Sequence, residues 1–124
     1  MTGWTDDEST KIGEAEELEI ATARRDGTMR PPVTIWVVPH GDDLYVRSVN
    51  GRTSSWFRGA QERHEAHIEA GGVDKDVSLV ETDTLNDELD AAYRTKYHQY
   101  AGRILDSVLS RKARAATLKL VPRR

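Results

Sequence analysis

Val33-Thr34-Ile35-Trp36-Val37-Val38, then His40-Gly41-Asp42-Asp43, then Leu44-Tyr45-Val46-Arg47-Ser48-Val49, is the stretch that decides the fold. Two β-branched and aromatic runs separated by a turn-forming tetrad predict a β-hairpin. The first run is apolar on both faces, which places it centrally in its sheet. Working back from it, Pro31-Pro32 fixes an extended entry and Asp26-Gly27-Thr28 is a turn. Leu18 to Arg25 alternates, with Leu18, Ile20 and Thr22 on one face, and reads as another strand. Working forward, Asn50-Gly51 ends the hairpin and a short helix over 53–62 follows, capped by Thr53 or Ser54. His64 to Ala70 and Val73 to Thr82 are two further strands, joined at Gly71-Gly72.

Helices flank this block. In the 1–17 segment, Thr5 followed by Glu8 predicts a capping box, with Asp6 and Asp7 suited to the helix dipole. Leu85, Leu89, Tyr93, Tyr97 and Tyr100 recur at three- and four-residue spacing, so 84–110 is helical, with a break at Ala101-Gly102. A final strand is expected over 113–121. Strands 18–82 in consecutive hairpins with helices outside predict one mainly β domain with flanking helices over 1–124, its antiparallel sheet closing as a barrel.

Composition narrows the function classes. The chain has 124 residues, and 18 Lys+Arg against 21 Asp+Glu give a net charge of −3. Without cysteine, disulfides, thiolate metal sites and a Cys nucleophile are excluded. No apolar run approaches the roughly 20 residues a membrane helix needs, and no secretory start is visible, so a cytoplasmic protein is expected. Charge is unevenly spread: residues 1–20 hold seven acids and one base, and residues 107–124 hold six bases and no acid. The basic tail (Arg111, Lys112, Arg114, Lys119, Arg123, Arg124) reads as solvated surface, because stacking aromatics are not interleaved with it; no nucleic-acid partner is expected.

Neither G-x-G-x-x-G nor a P-loop is present. His64 and His67, three apart on a strand, point to opposite faces and read as ordinary histidines, and Asp42-Asp43 is turn chemistry. One segment differs. Arg47-Ser48-Val49-Asn50-Gly51-Arg52-Thr53-Ser54 sets two arginines and several hydroxyls around a glycine turn leading into a helix. Arginine forks, helix N–H groups and hydroxyls suit a phosphate; the alternative is two solvated arginines beside a Ser/Thr cap. Trp36 borders the same place or is plain core. The tyrosine stripe is either a source of protons to a ligand or simply packed on the barrel.

The motifs Arg30 to Trp36, Asp42 to Ser48 and Asn50 to Arg58 resemble the flavin-reductase-like split β-barrel superfamily, which includes pyridoxamine-phosphate oxidases and deazaflavin-dependent nitroreductases. More narrowly, the chain resembles a small bacterial family within or beside that group. The resemblance implies a six-stranded antiparallel split β-barrel, a homodimer, and FMN or a deazaflavin coenzyme at the dimer interface. By position it assigns the phosphate to Arg47, Ser48, Arg52, Thr53 and Ser54, the ring to Thr34, Ile35 and Trp36, and an aromatic wall to Trp56. The lysines that pyridoxamine-phosphate oxidases carry on the second strand and after the third are missing here. The implied activity is an oxidoreductase acting on a small molecule by hydride transfer, with no catalytic residue assigned. The alternative is a cofactor-free dimer that binds a ligand or partner.

Overall fold

The computed structural model describes residues 3–100 and 102–123. Met1 and Thr2, Ala101 of the expected helix break, and Arg124 of the basic tail lie outside the described residues. Helix α1 (Asp6–Glu14) opens on the expected box: Thr5 Oγ1 accepts from Glu8 N, and Glu8 Oε1 accepts from Thr5 N, both at 3.1 Å. The strands are β1 (Leu18–Ala21), β2 (Val33–Ile35), β3 (Val37–His40), β4 (Asp43–Arg47), β5 (Glu65–Ala70), β6 (Val73–Glu81) and β7 (Thr117–Pro122). Helix α2 (Ser55–Arg63) follows a 3-10 turn at Gly51–Thr53. Between β6 and β7 come α3 (Asn86–Lys96), a 3-10 turn at His98–Tyr100, α4 (Arg103–Val108) and α5 (Arg111–Arg114).

All pairings are antiparallel, in the order β2-β1-β5-β6-β7-β4-β3. The two edges, β2 and β3, are consecutive in the chain, so the sheet curls until its ends meet at Trp36 without pairing. This is a split barrel. Two expectations are corrected. Val33–Val38 is not one central strand but two edge strands broken at Trp36, which makes seven strands where six were expected. The final strand begins at Thr117, because residues 111–114 form a helical turn capped by Ser110, whose Oγ accepts from Ala113 N.

The break has a visible cause. On the free edge of β3, Val37 N donates to the Tyr97 hydroxyl (3.2 Å) and Lys96 Nζ donates to the Val37 carbonyl (2.6 Å). Groups from the end of α3 thus replace a neighbouring strand, which blunts the edge. The apolarity of both faces has a different origin from a central position. Period-two alternation sends Val37, Leu44 and Val46 into the barrel core with Leu18, Ile20, Ile68 and Leu120. It sends Val38 and Tyr45 outward, under Leu89, Tyr93, Tyr97, Leu105 and Val108 of the helices. The tyrosine stripe therefore covers the outside of the barrel. Among the described residues no helix is long and apolar enough to cross a membrane.

Candidate cofactor site

The residues expected to hold a phosphate do not converge. The alternation of β4 that buries Tyr45 also sends Arg47 outward beneath α3 and α4, where it is 1% exposed. Its Nε donates to Thr117 Oγ1 (3.1 Å), its Nη1 to Asp90 Oδ1 (2.6 Å) and the Val108 carbonyl (3.1 Å), and its Nη2 to the carbonyl and Oδ1 of Asn86 (3.2 Å each). Five N–H groups meet five acceptors, which exhausts a guanidinium. Ser48 Oγ donates to the Gly51 carbonyl and pairs with Ser54 Oγ, both at 2.8 Å, so these hydroxyls close the turn that holds Gly51 at φ +80°.

Arg52 turns the other way. Its Nη1 donates to Glu81 Oε1 and the Ala115 carbonyl, both at 2.8 Å, and its guanidinium lies over the Phe57 ring. The bond from Arg52 holds the Glu81 carboxyl below its ordinary pKa. Arg52 there lines a cavity of about 520 Å³ with Glu81, Asp83, Asn86, Arg111 and Arg114. Thr53 is exposed in the 3-10 turn.

Thr34, Ile35 and Trp36 do come together. With Arg47, Val49, Ile104, Ser107 and Val108 they line a mostly apolar cavity of about 190 Å³, so Arg47, although its donors are spent, does meet the expected ring residues. One face of the Trp36 ring is stacked on Tyr97 (centroids 3.9 Å, planes 3° apart), and Tyr100 leans on it at 5.4 Å. Tyr97 also donates from its hydroxyl to the Glu16 carbonyl at 2.8 Å. Burial pushes the Tyr93 and Tyr97 hydroxyls well above the usual tyrosine range, so both stay protonated. The stripe holds Trp36 in place.

The sequence reading missed a cluster on the other side of β2. Arg24, Arg30, Val33, Ser55 and Trp56 line a cavity of about 380 Å³ that carries no carboxylate. The cap of α2, Ser54, spends its hydroxyl on the Gly51 turn, so no side chain caps the helix, and no acid stands in its first turn. Arg30 Nη1 donates to the Ala23 carbonyl at 2.7 Å, while Nε and Nη2 have no partner among the described residues. A Cβ at position 59 would lie 2.5 Å from Arg30 Nη1, so glycine there is what lets the guanidinium lie against α2. Trp56 is 6% exposed, edge-on to Phe57, and borders this cavity rather than that of Trp36. Strand β2 contributes to both cavities, Val33 lining one and Thr34 and Ile35 the other. The available signal was Arg30 before Pro31-Pro32: a rigid lead-in that fixes where the arginine leaves the strand.

This donor set fits a phosphorylated, flat ligand. Uncapped helix N–H groups and two arginines suit a phosphate, and the mostly apolar cavity that β2 also lines, with its aromatic wall, suits a conjugated ring.

The comparisons with known proteins concern the whole chain. Residues 8–120 match the model of a family described as "Uncharacterized protein conserved in bacteria (DUF2255)". No curated protein matches. Among solved structures, the heme storage protein HutZ from Vibrio cholerae superposes with a TM-score of 0.63 at 14% identity, over 93% of this chain and 87% of that one. An F420 reductase gives 0.54 at 18%, over 93% and 90%. The FAD and heme binding protein from Mycobacterium smegmatis gives 0.55 at 18%, over 96% and 65%. These likenesses establish the split-barrel fold.

Proposed function

We propose that this chain, which belongs to the DUF2255 family, binds a phosphorylated flavin or deazaflavin along β2 and serves as an oxidoreductase on a small molecule. The observation that carries this reading is the pair of cavities sharing β2. One is apolar with a tryptophan wall, and the other has two arginines, the uncapped start of α2 and no carboxylate. An F420 reductase and a FAD and heme binding protein share the fold, which agrees with it. When bound, such a cofactor accepts or donates a hydride. The protein's part is to hold it: Arg30 and the N–H groups of Ser55 and Trp56 take the phosphate, Thr34 and Ile35 flank the ring, and Trp36 excludes water from its face. Arg47, Ser48 and Ser54 act one step back, by fixing the turn and helix that present those donors. A second copy of the chain would cover Val33, Val49 and Ile104 and complete the site as a homodimer.

The test is a titration with FMN, riboflavin and the deazaflavin F420, followed by quenching of tryptophan emission. FMN or F420 should quench, since Trp36 and Trp56 border the two cavities. Arg30→Ala should weaken FMN about tenfold, the scale of one lost charge-assisted hydrogen bond, and leave riboflavin, which has no phosphate, unchanged. If neither FMN nor F420 binds at tens of micromolar, the oxidoreductase reading falls. The chain is then a cofactor-free split barrel that binds a ligand or partner, a role that the saturated Arg47 also suits.

A further inference from the structure

Lys96 stands outside the β2 site and is unlike the other four lysines of the chain. Lys11 pairs with Asp7, Lys75 with Glu8, and Lys119 approaches Asp43. Lys112 has no carboxylate partner among the described residues but is exposed. Lys96 is half-buried at the end of α3, also without a carboxylate partner among the described residues. Its Nζ donates to the Val37 carbonyl at 2.6 Å and lies 5.1 Å from the centre of the Tyr97 ring. It borders an open cavity of about 380 Å³ lined by the small or apolar Gly13, Pro39, Ala91 and Ala92 and by the polar His40, Glu88 and Thr95. The titratable groups around it are His40 from β3, Glu88 from α3 and the protonated Tyr97 hydroxyl, with the Glu16 carboxylate engaged by Tyr100 nearby.

We propose that Lys96 is a site of N-acylation by small acyl phosphates. The neutral amine attacks the acyl carbon, the C–N bond forms, the C–O bond to phosphate breaks, and inorganic phosphate leaves with the electron pair. The proton shed by nitrogen goes to water. Two features of the site favour this product. An N-acyl-lysine keeps one N–H, enough to retain the bond to the Val37 carbonyl, while losing a charge that the half-buried position penalises. The acyl methyl group has a place against Ala91, Ala92 and Pro39. Burial also supplies the reactive form, lowering the Lys96 amine to about 8. At pH 7.5 about a quarter of it is neutral, against about one in a thousand for an ordinary lysine.

The experiment treats the full chain with acetyl phosphate across pH 6.5 to 9.5 and measures acetylation at each lysine by peptide mass spectrometry. Lys112 is the exposed internal reference. A less basic amine is a weaker nucleophile, which returns part of the advantage, so the expected ratio of Lys96 to Lys112 at pH 7.5 is about ten. The Lys96 rate should level off above pH 8.5 while that of Lys112 still climbs. A Lys96 rate at or below that of Lys112, or two pH profiles of the same shape, overturns the proposal. No variant has to fold, and no cofactor has to bind.

Discussion

Arg47 shows how far one residue's role can depend on which side of a strand it occupies. Written after Tyr45 and Val46 and before a glycine turn, it has the surroundings of a phosphate anchor. Alternation along β4 instead turns it to the outer face of the barrel beneath α3 and α4, where Asp90, Asn86, Val108 and Thr117 take every donor. Asp90 is shared: Arg114 Nε approaches its other oxygen at 3.3 Å. Removing the guanidinium leaves a nearly buried carboxylate half-paired and several carbonyls unsatisfied, a loss of about 3 kcal/mol or more. Lysine is no substitute, because one ammonium cannot span acceptors arranged around a planar fork. Arg47→Lys is therefore expected to lower the urea midpoint nearly as far as Arg47→Met. An Arg47→Lys protein within 1 kcal/mol of the parent would show that the five bonds carry little weight.

At the scale of elements, the β5–β6 hairpin carries a pH-dependent clamp. His67 on β5 has Asp76 Oδ1 2.7 Å from its Nδ1 and Asp74 against its Nε2, both from β6. The hydrogen bond that the ring donates to Asp76, followed by the charge of Asp74, raises the His67 pKa above its ordinary value. A raised folded-state pKa gives stability that is fully present below the unfolded value near 6.5 and is lost as pH rises through the folded one. The ring is substantially exposed, so the effect is screened and stays below about 1 kcal/mol. Between pH 6 and 9 the parent should lose more stability than Asp76→Asn. Lys96 titrates in the opposite sense in both proteins and cancels in that difference, and equal pH slopes would discount the clamp. The hairpin itself was legible, since Gly71-Gly72 and alternation fix its register. So was the start of α1, where Thr5 and Glu8 act within one turn. The break at Trp36 was not, because its cause is Tyr97 and Lys96, some 60 residues away and invisible to local periodicity. The same limit hid the β2 cluster: Thr34 to Trp36 are local, but Arg30 meets Ser55 only once β1, β2 and α2 are assembled.

Over the whole molecule, apolar surface is concentrated where β2, the turn after β4 and α4 meet. Val33, Val49 and Ile104 are 37%, 40% and 58% exposed, and Val49 and Ile104 line the cavity of Trp36. Single exposed aliphatics are ordinary, but Val49 and Ile104 come from separate segments to one cavity, with Val33 on the strand that lines it, and together they form a patch that water disfavours. A barrel with a split seam cannot cover this ground with its own strands, since β2 and β3 are its edges and the helices are already spent on Val38 and Tyr45. A second copy meeting the same patch about a two-fold axis would bury it on both protomers at once. It would also close the ring cavity from outside, which ties association to cofactor binding. Ile104 is the most exposed of the three, so Ile104→Asp costs the single protomer little while placing a charge at the centre of the contact. In sedimentation velocity the parent should run as a dimer at tens of micromolar and Ile104→Asp as a monomer, with thermal midpoints within a few degrees. The variant should also bind FMN more weakly although no group that touches phosphate has changed. A parent that sediments as a monomer at about 100 μM, well above the dissociation constants of specific dimers, would mean that each cavity works alone.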